Sequence, residues 1–301
     1  MLKITELYQF IWFRCIMNLV INAQENRMEK IKMIALDMDG TTLQSDNTIS
    51  DIDLKAINKA KNSGIMIVPS TGRSLEVIPK QIIDLPVKYA ITKNGSIIND
   101  VELGKECYHE VIEKELAASI VKILEAMDVF LSADINNERI TSGKNLENAK
   151  HTYKNLHFDN RKVVDSLYDY ILSTPDITID KIGVLVTDED IRRTILFEQR
   201  NYLDLNIMQT SPISIEINNR LASKGNALKW LANKLDLKKE NIAAIGDSDN
   251  DLIMLCYAGY SFAMTNGTRY ARETADEITL SNDENGVAFA IEKILTRNNQ
   301  Y

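Results

Sequence analysis

Two apolar runs in this chain each stop on a carboxylate: IALD, closing at Asp37, and IAAIGD, closing at Asp247. Residues that are apolar along a whole short run belong to a strand buried on both faces, as in a parallel sheet with helices above and below. Ligands of open parallel sheets sit outside the carboxyl ends of the strands, which is where both runs deliver their charge. The pair of runs therefore restricts the chain to α/β folds and marks where a site belongs.

The rest of the sequence fits that restriction. From Lys32 onward, short apolar runs alternate with helical patterns. Residues 34–36 make the first strand, and Ser50 caps a helix in which Asp53 completes a capping box, Leu54, Ile57 and Ala60 share a face, and Gly64 ends the run. The strand IMIVPS runs into Thr71-Gly72-Arg73, and a strand at 89–92 runs into Asn94-Gly95 and a hairpin from SIIND to ECYHE. Residues 112–218 follow an alternation of their own, with helices at 113–127 and 191–202 and strands near Val129, Ile182, Ile207 and Ile213. The first pattern then resumes with a helix at 224–235, the IAAIG strand, a helix through Leu252 and Leu255, and a closing helix at 287–295. The expectation is a doubly wound, Rossmann-like parallel sheet built from residues 31–111 and 219–301, interrupted by an α+β cap domain at 112–218 and preceded by an extension over 1–30.

Composition removes several classes of function. The 43 acidic and 35 basic side chains among 301 residues give a net charge of -8 with no basic block, which argues against a nucleic-acid partner. Cys15, Cys107 and Cys256 form no CxxC or Cys/His cluster, so neither a zinc site nor a disulfide framework is suggested and a reducing cytoplasm is expected. The segment FIWFRCIMNLVI at 10–21 is shorter than the roughly 20 apolar residues that span a bilayer and is broken by Arg14 and Asn18, so no membrane span is expected. The plainest reading of the extension is that the true start is Met28; the sharper one is an interfacial or partner-binding helix.

Side chains two apart in extended structure point the same way, so Asp37 and Asp39 can face one pocket while Gly40 permits a sharp exit. Asp247 and Asp251, in GDSDND, arrive from a second strand. So many carboxylates converging in a partly dry pocket need a cation, and oxygen-only ligands select a hard one such as Mg²⁺, which accepts one or two carboxylates plus a substrate phosphate. Thr71 and Arg73 follow a strand end and are expected to open a helix whose N-terminus favours an anion, while Lys224 opens another and adds a point charge. Singly, each is ordinary: an Asp-x-Asp in a solvated loop, a Thr-Gly-Arg turn, a surface lysine. Their order and strand-end placement give them joint meaning.

In that order, Asp37-Met-Asp-Gly-Thr-Thr42, Ser70-Thr-Gly-Arg73, Lys224-Gly225 and Gly246-Asp-Ser-Asp-Asn-Asp251 resemble the four motifs of the haloacid dehalogenase superfamily of phosphatases. ITKNGSII, LASKGNALKWL, GDSDNDLIML and DENGVAFAIEKIL further resemble its Cof-type branch, whose cap lies between the second and third motifs. The resemblance covers about residues 32–295 and is weak in the cap; Met264-Thr-Asn-Gly267 stands where the branch more often has Met-Gly-Asn-Ala. It implies a Mg²⁺-dependent hydrolase of small phosphorylated metabolites in which Asp37 attacks phosphorus and Asp39 is the general acid and base. Thr71, Gly72, Lys224 and Asn250 would bind phosphate. Asp37, the Asp39 carbonyl and Asp247 would ligate the metal with Asp251 in support, and Arg73, Asn94 and Gly95 could meet substrate. A phosphomutase on the same core and a phospho-accepting signalling or binding protein are the alternatives.

Overall fold

The computed structural model describes residues 29–84, 87–153 and 161–300. The apolar run at 10–21 lies outside the described residues. Before the insertion come strands β1 (Met33–Asp37), β2 (Met66–Ser70), β3 (Tyr89–Thr92), β4 (Ile97–Asp100) and β5 (Lys105–His109). The insertion carries β6 (Phe130–Ile135), β7 (Glu138–Ser142), β8 (Lys162–Val164), β9 (Ile179–Leu185), β10 (Leu205–Ser211) and β11 (Ser214–Asn219), and β12 (Ile242–Gly246), β13 (Tyr260–Ala263) and β14 (Glu277–Ile278) follow it. The chain divides into two compact units, one being Glu110–Ala222 and the other the segments on either side of it.

The flanking segments share one eight-stranded sheet in the order β14-β13-β12-β1-β2-β3-β4-β5. Strands β14 through β3 run parallel, and β4 and β5 turn back as antiparallel neighbours. Alternation along β1 splits its side chains between two cores. Ile34 and Leu36 join Ala56, Ile57, Ile291 and Ile294 on one face. Met33 and Ala35 join Val68, Ala227, Leu228 and Leu231 on the other. Each fully buried Leu or Ile there contributes about 1.5–3 kcal/mol, so a one-residue slip of β1 would empty both cores at once.

Helix ends are fixed by the residues expected to fix them. Ser50 Oγ accepts the Asp53 N–H at 3.0 Å at the start of the helix Asp51–Asn62. Gly64 follows that helix at φ +81°, a conformation costly to a side chain. Asp53 Oδ2 accepts the Ser50 hydroxyl at 2.9 Å, and its Oδ1 accepts the Ala288 N–H at 2.7 Å, capping the helix Gly286–Asn298.

The inserted unit is a six-stranded sheet, order β10-β11-β9-β6-β7-β8, antiparallel except for the β7–β8 pair. Its core gathers Ile120, Val121 and Leu124 from the helix Lys114–Glu125, Leu167 and Ile171 from Leu167–Ser173, and Ile195 from Glu189–Glu198 against Leu131, Ile182 and Ile217 of the strands. Among the described residues, no helix is long and apolar enough to cross a membrane.

One expectation fails. Thr71 and Arg73 do not open a helix: a short 3₁₀ turn begins only at Leu75, and Pro79 separates it from the helix Lys80–Ile83. Their backbone amides are already committed, Thr71 N–H to Ile91 O at 2.9 Å and Arg73 N–H to Thr71 Oγ1 at 3.1 Å. No helix N-terminus is therefore on offer to an anion at this strand end.

Candidate active site

Register places the site. Asp37 pairs with Ser70, and Leu36 with Ile245, so β1 and β2 end level with each other and β12 ends beside them. Asp37 lies on the same face of β1 as Met33 and Ala35 and is 3 % exposed. The helix Lys224–Lys234 packs on that face through Ala227, Leu228 and Leu231. Gly225 lets it come close to the neighbouring helix Leu252–Tyr257, since a Cβ there would stand 2.4 Å from Ile253. The first residue of that helix is thus held over the strand end, and Lys224 Nζ donates to Asp37 Oδ1 and to Asp251 Oδ1, both at 2.6 Å.

Asp251 is fully buried and completely engaged. Its second oxygen accepts the N–H groups of Asp247 and Ser248, each at 3.0 Å, which folds the GDSDND turn back on itself. Gly246 is required beneath it, because a Cβ would meet the Asp251 carboxyl carbon at 2.7 Å. Asp247 Oδ1 accepts the Thr41 hydroxyl at 3.1 Å. Thr42 Oγ1 donates to the Asp37 carbonyl at 2.5 Å, and the N–H groups of Thr41, Thr42 and Leu43 all converge on Met38 O. Gly40, at φ +76°, rests against Asp247 so closely that a Cβ would lie 2.7 Å from Oδ2.

Asp37, Asp247 and Asp251 bring one oxygen each within 4.8 Å of one another. Against these three carboxylates stands one ammonium, leaving two negative charges in excess. Burial pushes the Asp37 carboxyl well above its usual range, and the Asp251 and Asp247 charges add to it against the pull of Lys224. Burial and Asp251 raise Asp247 in the same way. For Lys224, burial works against the charged form, but the Asp251 and Asp37 carboxylates outweigh it and hold the ammonium above its ordinary pKa. With Asp251 engaged on both oxygens and Lys224 and Thr41 each taking one oxygen of Asp37 and Asp247, one oxygen of each of the latter two is left for a cation. Oxygen donors, few in number, beside a doubly negative excess fit a hard divalent ion such as Mg²⁺.

The other expected residues fall into two groups. Asn250 Nδ2 donates to Asn94 Oδ1 at 3.0 Å, and Asn94, itself left-handed at φ +57°, sends its N–H to Thr71 O at 3.0 Å. Gly72 backs onto the Asn94 side chain, and Gly95, at φ +92°, leaves no room for a Cβ against the Ser223 carbonyl. Thr71, Gly72, Asn94 and Asn250 are thus linked to one another, and Gly95 abuts the start of the helix that Lys224 opens. Asp39 is apart from the acidic cluster: its exposed carboxylate is bound by Arg73, whose Nε donates to Oδ2 at 2.8 Å and whose second nitrogen grips Oδ1. Thr41 and Ser248 had no role assigned from sequence. Thr41 stands within the DMDGTT run, and its polarity immediately after a buried strand was the available signal.

The pattern of the haloacid dehalogenase-like hydrolases matches residues 34–291. Over 264 residues, 87 % of this chain and 94 % of the relative, the chain is 34 % identical to the 5-amino-6-(5-phospho-D-ribitylamino)uracil phosphatase YcsE of Bacillus subtilis. It is 32 % identical to phosphatase YwpJ of the same organism over 88 % of this chain and all of that one. A solved haloacid dehalogenase-like hydrolase from B. subtilis superposes with a TM-score of 0.74 at 29 % identity, covering 87 % of this chain and 99 % of the other. With the motif carboxylates brought to adjoining strand ends and these relatives named as phosphatases, the chain belongs to the haloacid dehalogenase-like hydrolases and is one of the family's phosphatases.

Proposed function

We propose that the protein hydrolyses small phosphorylated metabolites in a Mg²⁺-dependent reaction that passes through an acyl phosphate on Asp37. The observation that carries the reading is the buried array of Asp37, Asp247 and Asp251 around the Lys224 ammonium, which is short of positive charge by the amount a divalent ion would bring. Asp37 and Asp247 are the residues that would hold the ion, with Asp251 fixing the turn behind them. Bound there, Mg²⁺ supplies positive charge to the phosphoryl oxygens.

The remaining chemistry belongs to the chain. Asp37, immobilised at the end of a central strand, presents a carboxylate oxygen for in-line attack on phosphorus, and the bond to the substrate oxygen breaks as the aspartyl phosphate forms. Lys224 and Thr71 hold the equatorial oxygens as their charge is redistributed. Asp39 gives a proton to the departing alcohol and then takes one from the water that cleaves the acyl phosphate, returning Asp37 and free phosphate.

Three of the curated relatives, at 34 %, 28 % and 27 % identity, are named as 5-amino-6-(5-phospho-D-ribitylamino)uracil phosphatases. We propose that compound as the first substrate to try, followed by sugar phosphates. The test is free-phosphate release across such a panel with Mg²⁺, run beside Asp37→Asn. Release by the wild type alone is expected. Isomerised product without free phosphate would make the protein a mutase, and no consumption of any phosphate ester, including a generic aryl phosphate, would remove the hydrolase reading.

A further inference from the structure

Close to the two carboxylate-bearing turns runs a third loop, residues 264–268, to which the chemistry above assigns nothing. It closes on itself through Gly267 N–H to Met264 O at 2.9 Å. Thr268 fixes it to the metal turn: its N–H donates to Asp247 O at 2.7 Å and its hydroxyl to Asp249 Oδ1 at 2.8 Å. Gly267 allows that approach, since a Cβ would lie 2.6 Å from Asp247 O, and Arg272 Nη1 holds the carbonyls of Thr265 and Gly267 at 2.8 and 2.9 Å. The loop therefore moves with Asp247.

Asn266, in its middle, reaches the other way. Its Nδ2 donates to Gly40 O at 2.8 Å and its Oδ1 accepts the Asn282 N–H at 3.0 Å. Asn282, buried, passes the constraint on by donating from Nδ2 to Leu43 O at 2.9 Å. An asparagine in a turn commonly bonds the backbone two residues on; this one instead joins segments 226 and 16 residues away. Gly40 is caught between the Asn266 amide on its carbonyl and the Asp247 carboxylate against its α-carbon. Gly40 is the residue immediately after Asp39, so a bond to its carbonyl restrains the turn on which the Asp39 side chain stands.

We infer that Asn266 is a positioning residue: its amide ties the Asp39–Gly40 turn to the loop 264–268, which is itself bonded to Asp247, setting where the Asp39 carboxylate can stand relative to the nucleophile. The inference rests on the acid and base role proposed for Asp39. Departures of tenths of an ångström at such a group are enough to weaken proton transfer. Exerted through Asp39, the effect follows the demand for a proton at the leaving oxygen and not the strength of substrate binding, whereas one exerted through Asp247 would fall on all esters alike.

The test compares wild type, Asn266→Asp, Asn266→Ala and Asp283→Ala on an alkyl phosphate and on 4-nitrophenyl phosphate. Asn266→Asp is isosteric and still accepts the Asn282 N–H, but it faces Gly40 O with an oxygen in place of a donor. Asp283→Ala removes the bonds to Ser45 N–H and Oγ, at 2.8 and 2.7 Å, which restrain the far part of the same segment. Expected is a fall in kcat of about tenfold for both Asn266 variants on the alkyl ester. The fall should be distinctly smaller on the nitrophenyl ester, whose leaving oxygen needs little protonation, with KM within about twofold and Asp283→Ala unchanged. Unchanged kcat, an equal fall on both esters, or the same fall in Asp283→Ala would overturn the inference. Undiminished turnover of the alkyl ester by Asp39→Asn, or an inactive wild type, would instead defeat the reading on which it rests, and each shows before any Asn266 variant is measured.

Discussion

Asp37 and Lys224 are 187 residues apart in the chain and 2.6 Å apart in the fold, both almost wholly removed from water. Nothing local brings them together: a parallel strand must end on the face where the helix Lys224–Lys234 packs, and that helix must begin at the same level. The ion pair is thus a readout of whether the core is correctly assembled across the insertion. It also makes the position of Asp37, the proposed nucleophile, depend on a residue that forms no bond to phosphorus.

Lys224→Met should both inactivate the protein and destabilise it. Removing the ammonium leaves Asp37 and Asp251 facing each other in a buried site, and breaking a buried pair of this kind costs about 3–5 kcal/mol. Because the lost charge is positive, Mg²⁺ should raise the melting temperature of Lys224→Met by more than it raises that of the wild type. Equal shifts in thermal melts with and without Mg²⁺ would show that the ion does not compensate for the lysine.

Asp37 and Asp39 are chemically unequal although they look interchangeable as letters. The first is 3 % exposed and clamped by Lys224, and the second is solvent-facing and clamped by Arg73. Asp37→Asn is expected to form no phosphoenzyme, since an amide is a poor nucleophile. Asp39→Asn should slow turnover by about 10²–10⁴-fold, least for substrates with good leaving groups. Rapid-quench trapping of hydroxylamine-sensitive phosphate followed by mass spectrometry of the labelled peptide decides between them, and label on Asp39 would reverse the roles.

The strand ends were legible because buried parallel strands write their function at one terminus: IALD, IMIVPS and IAAIG each run apolar until the residue or loop that enters the site. Short or amphipathic pieces were not legible. The two-residue β14, the parallel pair β7 and β8, and the brief helices Leu146–Thr152 and Arg269–Thr274 hold their shape through tertiary partners, with too few residues to show a period. The false helix after Ser70 came from reading a strand end as a strand-to-helix turn; the amides of Thr71 and Arg73 had closer partners than an anion. Thr41 and Asn266 were missed because their bonds span 206 and 226 residues, a separation no pattern of neighbours reveals.

Chelation should abolish turnover and Mg²⁺ restore it, with Mn²⁺ a partial substitute. Asp37 and Asp247 each have one oxygen uncommitted to Lys224 or Thr41, enough for an ion that keeps several waters and takes one or two carboxylates. Ca²⁺ asks for more ligands at longer distances and should bind without supporting turnover, so it is expected to inhibit in the presence of Mg²⁺. Full activity in excess chelator would sink the metal assignment.

Asp53 should give the core a titration separate from that of the site. It is buried, and burial raises its pKa, while the N–H of Ala288 and the hydroxyl of Ser50 act in the opposite sense. A carboxyl whose folded pKa exceeds its unfolded one binds more protons in the folded state. Its contribution is therefore complete below the unfolded value and is lost as pH rises through the folded one. Asp53→Asn removes that titration yet can keep both bonds, its carbonyl accepting the Ala288 N–H and its amide donating to Ser50 Oγ. Stability at neutral pH should then stay within about 1 kcal/mol of wild type, and the loss of stability on raising the pH through the upper carboxylate range should become shallower. Asp53→Ala loses both bonds and uncaps the helix Gly286–Asn298, so it should cost about 1–3 kcal/mol. Denaturant titrations of the three proteins at a series of pH values measure both quantities. An Asp53→Asn curve parallel to that of the wild type would show that the buried carboxyl does not titrate in this range.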